Sequence, residues 1–98
     1  MRLRHATPSV NLSGIRAHGL LTIMSRGVLP LVWLHSAGAS RWAVPHVGRR
    51  HGVPFSDVSL LEVDVPRSWL RRTKRGLWTC DRDIPAERIV FPGLAASA

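Results

Sequence analysis

Residues 31–52 read LVWLHSAGASRWAVPHVGRRHG and change character partway along. The first four residues are apolar and lie between a proline and a turn of small residues, which predicts a buried strand over residues 31–34. Ser40 is a suitable cap for a helix that ends at Gly52. Pro45 lies inside this helix, where it costs little if it falls near the first turn. The stretch therefore predicts a strand that leads directly into a helix.

The rest of the chain extends this pattern in both directions. Residues 1–5 are a short candidate strand, and Thr7 followed by Pro8 predicts the start of a helix that ends at Gly19. The elements predicted beyond residue 52 are a strand at 58–65, a helical turn at 66–70, a basic loop at 71–75, a strand at 77–80 and a last strand ending near Phe91. The order β-α-β-α-β-β-β predicts an α+β fold with a small mixed sheet and two helices.

Length and composition are those of a small globular domain. The chain has 98 residues and is 45% hydrophobic, so we expect a single domain over residues 1–92 and a flexible tail over 93–98. The single cysteine, Cys80, excludes an internal disulfide and a Cys-rich zinc site. No run approaches the roughly 20 apolar residues of a membrane span. We therefore expect a cytoplasmic protein that has no membrane partner.

Positive charge dominates the first half of the chain. Lys and Arg number 14 against 6 Asp and Glu, a net charge of +8, and no carboxylate precedes Asp57. A field of one sign across half of a small domain favours anionic partners such as nucleic acid or a dinucleotide. The alternative is that the arginines reflect a biased codon pool and serve solubility.

None of the standard catalytic signatures is present in the sequence. It lacks a phosphate-binding GxxxxGK, a GxGxxG, an HExxH and a GxSxG. The five histidines are scattered at positions 5, 18, 35, 46 and 51, with few carboxylates close in sequence, so we expect no metal site.

Several short pieces, in one order, carry a resemblance to a known family. They are HAT at 5–7, HGL at 18–20, VWLH at 32–35, VGRRHG at 47–52, and GLW at 76–78 followed by IPAERI at 84–89. In order and spacing the chain resembles the ADP-ribosyltransferase fold, and within it the transferase core of the RNA 2′-phosphotransferase family. The resemblance covers about residues 3–90.

The resemblance implies NAD as the cofactor and assigns roles to individual residues. His5 would hold the ribose on the nicotinamide side of NAD, Trp33 would stack on nicotinamide, and Arg50 would contact a substrate phosphate. His5 and Arg50 would then be the catalytic residues. The remaining implied contacts come from the same motifs: Thr7, His35 and Ser36 to the cofactor, and Arg49 to phosphate.

Each of these residues also has a structural explanation. A histidine on a strand can make a local hydrogen bond, and Thr7 can simply cap a helix. Trp33 can be a core residue, and Arg50 can stabilise a helix end through the dipole. The sequence also departs from the family pattern: we expect no counterpart of the family's extra RNA-binding domain within these 98 residues, and His35 stands where the family has serine.

A second anion-binding element is predicted in residues 67–75, where five positive charges lie close to Trp69 and Trp78. Cations with interleaved aromatics are typical of a nucleic-acid groove, and the alternative is a solvated loop above buried tryptophans. The binding residues we expect here are Arg71, Arg72, Lys74 and Arg75.

These observations lead to two candidate functions. The first is a minimal ADP-ribosyl or 2′-phosphate transferase that binds NAD and acts on an anionic acceptor such as a nucleic-acid phosphate. The second is a non-catalytic basic module of the same fold that binds nucleic acid or another polyanion.

Overall fold

The computed structural model describes residues 1–25 and 29–92, and within them it contains a six-stranded sheet and two α-helices. The predicted α+β fold class is confirmed. The strands and helices are β1 (Arg2–Pro8), α1 (Leu12–His18), β2 (Val32–His35), α2 (Ser40–His51), β3 (Val58–Asp64), β4 (Leu70–Lys74), β5 (Leu77–Cys80) and β6 (Ile89–Val90). The predicted tail at 93–98 lies outside the described residues. Neither helix in the described part of the chain is long and apolar enough to cross a membrane.

The sheet has the order β4-β5-β2-β1-β3-β6, and every strand pair is antiparallel. The prediction of a mixed sheet was wrong in this respect. Helix α1 has seven residues and spans about 10 Å, too short to return the chain along the roughly 23 Å of β1. Strands β2 and β3, which α2 connects, run in the same direction but lie on either side of β1. No parallel pair therefore forms among the described strands.

Strand β1 is longer than predicted and includes the residues expected to start a helix. Thr7 pairs with Ser59, and Pro8, with φ −55° and ψ 135°, pairs with Val58. Threonine favours an extended backbone, and proline is tolerated at a strand end because it needs no ladder hydrogen bond there. Helix α1 starts later, after a 3-10 turn, and His5 lies in the middle of β1 rather than at its end.

The basic segment predicted as a loop is an edge strand. Leu70–Lys74 pairs with β5, with Arg71 opposite Thr79 and Arg72 opposite Trp78. Its charged side chains are exposed, so the segment lacks the apolar alternation that identifies strands in sequence. Charges on an edge strand also oppose pairing with another chain.

The core lies mainly between the sheet and the segments that cover one face of it. Its members are Leu3, Ile15, Leu20, Val32, Leu34, Leu61, Val63, Val65, Cys80, Ile84, Ile89 and Phe91. Gly19 ends α1 with φ 77° and passes against the backbone of Ile84, to which Leu20 is bonded in both directions. This close approach fixes the end of α1 against the sheet and so positions one wall of the site described next.

Candidate functional site

A cavity of about 650 Å³ is lined by residues of β1, α1, β2 and α2. Its size is within the roughly 300–1,000 Å³ typical of small-molecule and cofactor sites. Five of the residues assigned by resemblance line this one cavity: His5, Thr7, Trp33, His35 and Arg50. Residues from three elements that are distant in sequence therefore share one concave surface.

The cavity adjoins the place where two neighbouring strands part. Within the described residues, β1 and β2 are paired in register at one position, Arg4 with His35. Both strands line the cavity beyond that pair. The His5 side chain spans the divergence, with its Nδ1 2.7 Å from the backbone oxygen of Trp33.

This hydrogen bond defines the state of the His5 ring. A carbonyl oxygen only accepts, so Nδ1 carries the hydrogen and donates it to Trp33. Burial lowers the pKa of His5, and the bond to Trp33 opposes that shift only in part. The ring is therefore neutral near pH 7, and its Nε2 is the atom able to accept a hydrogen bond from a ligand hydroxyl.

His35 is held deeper, with 4% of its surface exposed. Its Nε2 lies 3.2 Å from the Ser40 hydroxyl, and that hydroxyl also accepts a 3.4 Å hydrogen bond from Arg4. Burial, followed by the positive charge that His5 carries when protonated and by the charge of Arg4, lowers the pKa of His35 to about 4. Because Arg4 donates to the Ser40 oxygen, the hydroxyl hydrogen is available to His35 Nε2. The arrangement links the end of β2 to the start of α2.

Two aromatic groups on different elements line the cavity. Trp33 is 48% exposed although Val32 and Leu34 on either side are buried, so it is not the core residue that a buried strand would predict. Trp42 is 51% exposed and stacks on His46, with ring centroids 4.6 Å apart and planes 15° apart. Sequence reasoning did not select Trp42 or His46. Their four-residue spacing, continued by Arg50, is the signal that marks one helix face.

The charged and titratable residues that line the cavity are all histidine or arginine. All five histidines of the chain line the cavity together with Arg50: His5, His18, His35, His46 and His51. No Asp or Glu is among the lining residues in the described part of the chain. Across residues 1–25 and 29–92, no group of three or more His, Cys, Asp or Glu side chains is placed to hold a metal ion. Because the Arg50 guanidinium is positively charged and no carboxylate in the described lining opposes it, the cavity favours an anionic ligand.

The other predicted binding residues lie outside the cavity lining. Ser36 follows β2, and its backbone N–H donates to the Gly76 oxygen at 3.0 Å. Arg49 is exposed on α2. The basic set on β4 and its turn, Arg71, Arg72, Lys74 and Arg75, is also exposed and does not line the cavity. Leu77 lines it and pairs with His35, so the β4–β5 turn lies at its edge.

The tryptophans near the basic set serve packing. Trp69 and Trp78 are partly buried against the core. The guanidinium groups of Arg82 and Arg88 lie 5.3 and 5.1 Å from the centre of the Trp69 ring. These cation–π contacts occupy positions that a nucleobase would need for stacking. The geometry therefore favours packing over base stacking for Trp69.

Comparison with known proteins gives no relative from which a role could be transferred. A scan against protein-family models finds no match, and a search of curated proteins finds none either.

Proposed function

We propose that this domain binds NAD in the cavity between β1, β2 and α2 and transfers ADP-ribose to an anionic acceptor. One observation carries the proposal: His5, Thr7, Trp33, His35 and Arg50, selected through the family resemblance, line a single cavity of about 650 Å³. The half-exposed Trp33, the Arg50 guanidinium and the lack of Asp and Glu in the described lining support an aromatic and anionic ligand.

Each chemical task falls to a residue with suitable chemistry. His5 Nε2 accepts a hydrogen bond from a ribose hydroxyl, Trp33 stacks on a planar ring, and the Arg50 guanidinium binds a phosphate. Bound NAD supplies a bond from ribose to nicotinamide that breaks with development of positive charge on the sugar. With no carboxylate in the described lining to stabilise that charge, the residues act by orienting the ligand.

The test combines binding with turnover. We expect the protein to bind NAD and to release nicotinamide when an acceptor is present, with RNA, DNA and protein tried in turn. His5→Ala and Trp33→Leu should each weaken NAD binding by about tenfold, the effect of removing one good hydrogen bond or stacking interaction. Phe55→Leu is the matched control, since Phe55 is 52% exposed and lies outside the cavity lining. Absence of both NAD binding and nicotinamide release overturns the proposal.

A second candidate function rests on the same electrostatics. The cavity lacks carboxylates in its described lining, and the cations of β4 are exposed, which favours a non-catalytic module that binds nucleic acid. Such a module should lose affinity steeply as salt rises, because each neutralised phosphate releases counterions. Nicotinamide release excludes it, whereas steep salt dependence without NAD binding supports it.

A further inference from the structure

The aromatic pair on α2 has no role in the function proposed so far. Trp42 stacks on His46, and Arg50 follows at the same four-residue spacing, so the three side chains lie along the helix face that lines the cavity. His46 covers one face of the indole, yet half of the Trp42 surface remains exposed. A tryptophan presented in this way offers an open ring face to a ligand.

We propose that Trp42, backed by His46, binds the nucleobase of a nucleotide whose phosphate is bound by Arg50. This inference rests on the proposed function because both use the same cavity. It adds which part of the ligand contacts the α2 residues that line the cavity. Trp33 lies on β2, on a different element, so the cavity has two stacking surfaces for two planar groups.

Charge distinguishes a nucleotide from an uncharged aromatic ligand. Arg50, two helical turns beyond Trp42, gives a phosphate partner at the far end of the same face, and Asp and Glu are missing from the described lining. Stacking on tryptophan accepts any base, and a guanidinium binds a phosphate through two parallel hydrogen bonds. The combination fits a group that is planar at one end and anionic at the other.

The base has two possible sources, the adenine of the dinucleotide or a base of the acceptor strand. The first experiment uses probes that separate the base from the phosphate: AMP and ribose 5-phosphate, compared by isothermal titration calorimetry. We expect AMP to bind at least about fivefold more tightly, the effect of stacking one base. Trp42→Leu should abolish that preference, Trp42→Phe should keep most of it, and Phe55→Leu should leave it unchanged.

The second experiment assigns the source. Loss of ADP-ribose affinity in Trp42→Leu identifies the base as the adenine of the dinucleotide. Loss of affinity for a short single-stranded oligonucleotide, measured on protein saturated with ADP-ribose, identifies it as a base of the acceptor. Either result supports the inference.

The inference is overturned if the unmodified protein binds AMP and ribose 5-phosphate equally, or if Trp42→Leu keeps the preference for AMP. Should the leucine variant not fold, nuclear Overhauser contacts between the adenine protons and the Trp42 indole of the unmodified protein decide the question. AMP binding through Trp42 without NAD binding leaves this inference standing and the proposed function refuted. If the protein releases nicotinamide from NAD but Trp42→Leu still prefers AMP, the proposed function stands and this inference is refuted.

Discussion

Gly19 lies where the fold leaves no room for a Cβ atom. Its φ of 77° favours glycine, and a Cβ at this position would collide with the Ile84 carbonyl oxygen, which accepts a 2.9 Å hydrogen bond from Leu20. We expect Gly19→Ala to lower the free energy of unfolding by about 1–3 kcal/mol, measured by urea denaturation. Gly14→Ala is the control, because open space surrounds that position in α1 and alanine favours helix by about 0.5–1 kcal/mol. Equal shifts in the two variants would contradict this account.

His35 makes the stability of the domain depend on pH. Its pKa in the folded protein is about 4, below the ordinary value of 6.5, so below about pH 6.5 the unfolded chain binds a proton that the folded protein does not. The stabilisation is complete above pH 6.5 and is lost as the pH falls toward 4, by up to about 1.4 kcal/mol per pH unit. Denaturation midpoints at pH 7 and pH 5 should differ less for His35→Gln. An unchanged difference would assign the effect to other groups.

At the scale of elements, β4 tests whether exposed charge binds nucleic acid. Replacing the basic set (Arg71, Arg72, Lys74 and Arg75) by glutamine should weaken nucleic-acid binding and flatten its salt dependence. The expected reduction in slope is about 0.7–0.9 for each phosphate that the variant no longer neutralises. Stability should hardly change, since these side chains are exposed, and NAD binding should persist because none of them lines the cavity. Unchanged affinity and slope would identify β4 as a solvated edge.

The elements that the sequence predicts well are those with their own boundary signals. The helix expected from Ser40 to Gly52 and the strands at 58–65 and 77–80 correspond to α2, β3 and β5. Strand β4 was missed because pairing with β5, rather than any apolar pattern of its own, makes it a strand. Thr7 followed by Pro8 suits a helix start and a strand end equally well, and pairing with β3 decides for the strand.

The candidate site was predictable only in part for a similar reason. Five of its residues occur in short motifs whose order and spacing suggested a shared location. Trp42 and His46 occur in no such motif, and a helix face reveals its neighbours only once the sheet is assembled. Trp33 was ambiguous because its apolar neighbours predict burial for the whole strand, whereas alternation along β2 turns it away from the core.

At the scale of the whole molecule, the short pairing between β1 and β2 predicts local opening between these two strands. Backbone pairing between one set of strands, β4-β5-β2, and the other, β1-β3-β6, is limited to one register pair in the described residues, and the His5 hydrogen bond and the shared core around Leu3 and Leu34 add to it. With so little backbone pairing between them, β1 and β2 can separate locally. We therefore expect the backbone amides of β2 to exchange with deuterated water faster than those of β3, because β3 pairs with β1 along all seven of its residues. A ligand spanning the cavity would join the two sets of strands and slow exchange in β2 selectively, measurable by mass spectrometry of peptic fragments. Uniform slowing of β2 and β3 would instead indicate global stabilisation. In the expected case the ligand connects β1 and β2 where the strands themselves are not paired, and its binding free energy includes the free energy of holding the two strands together.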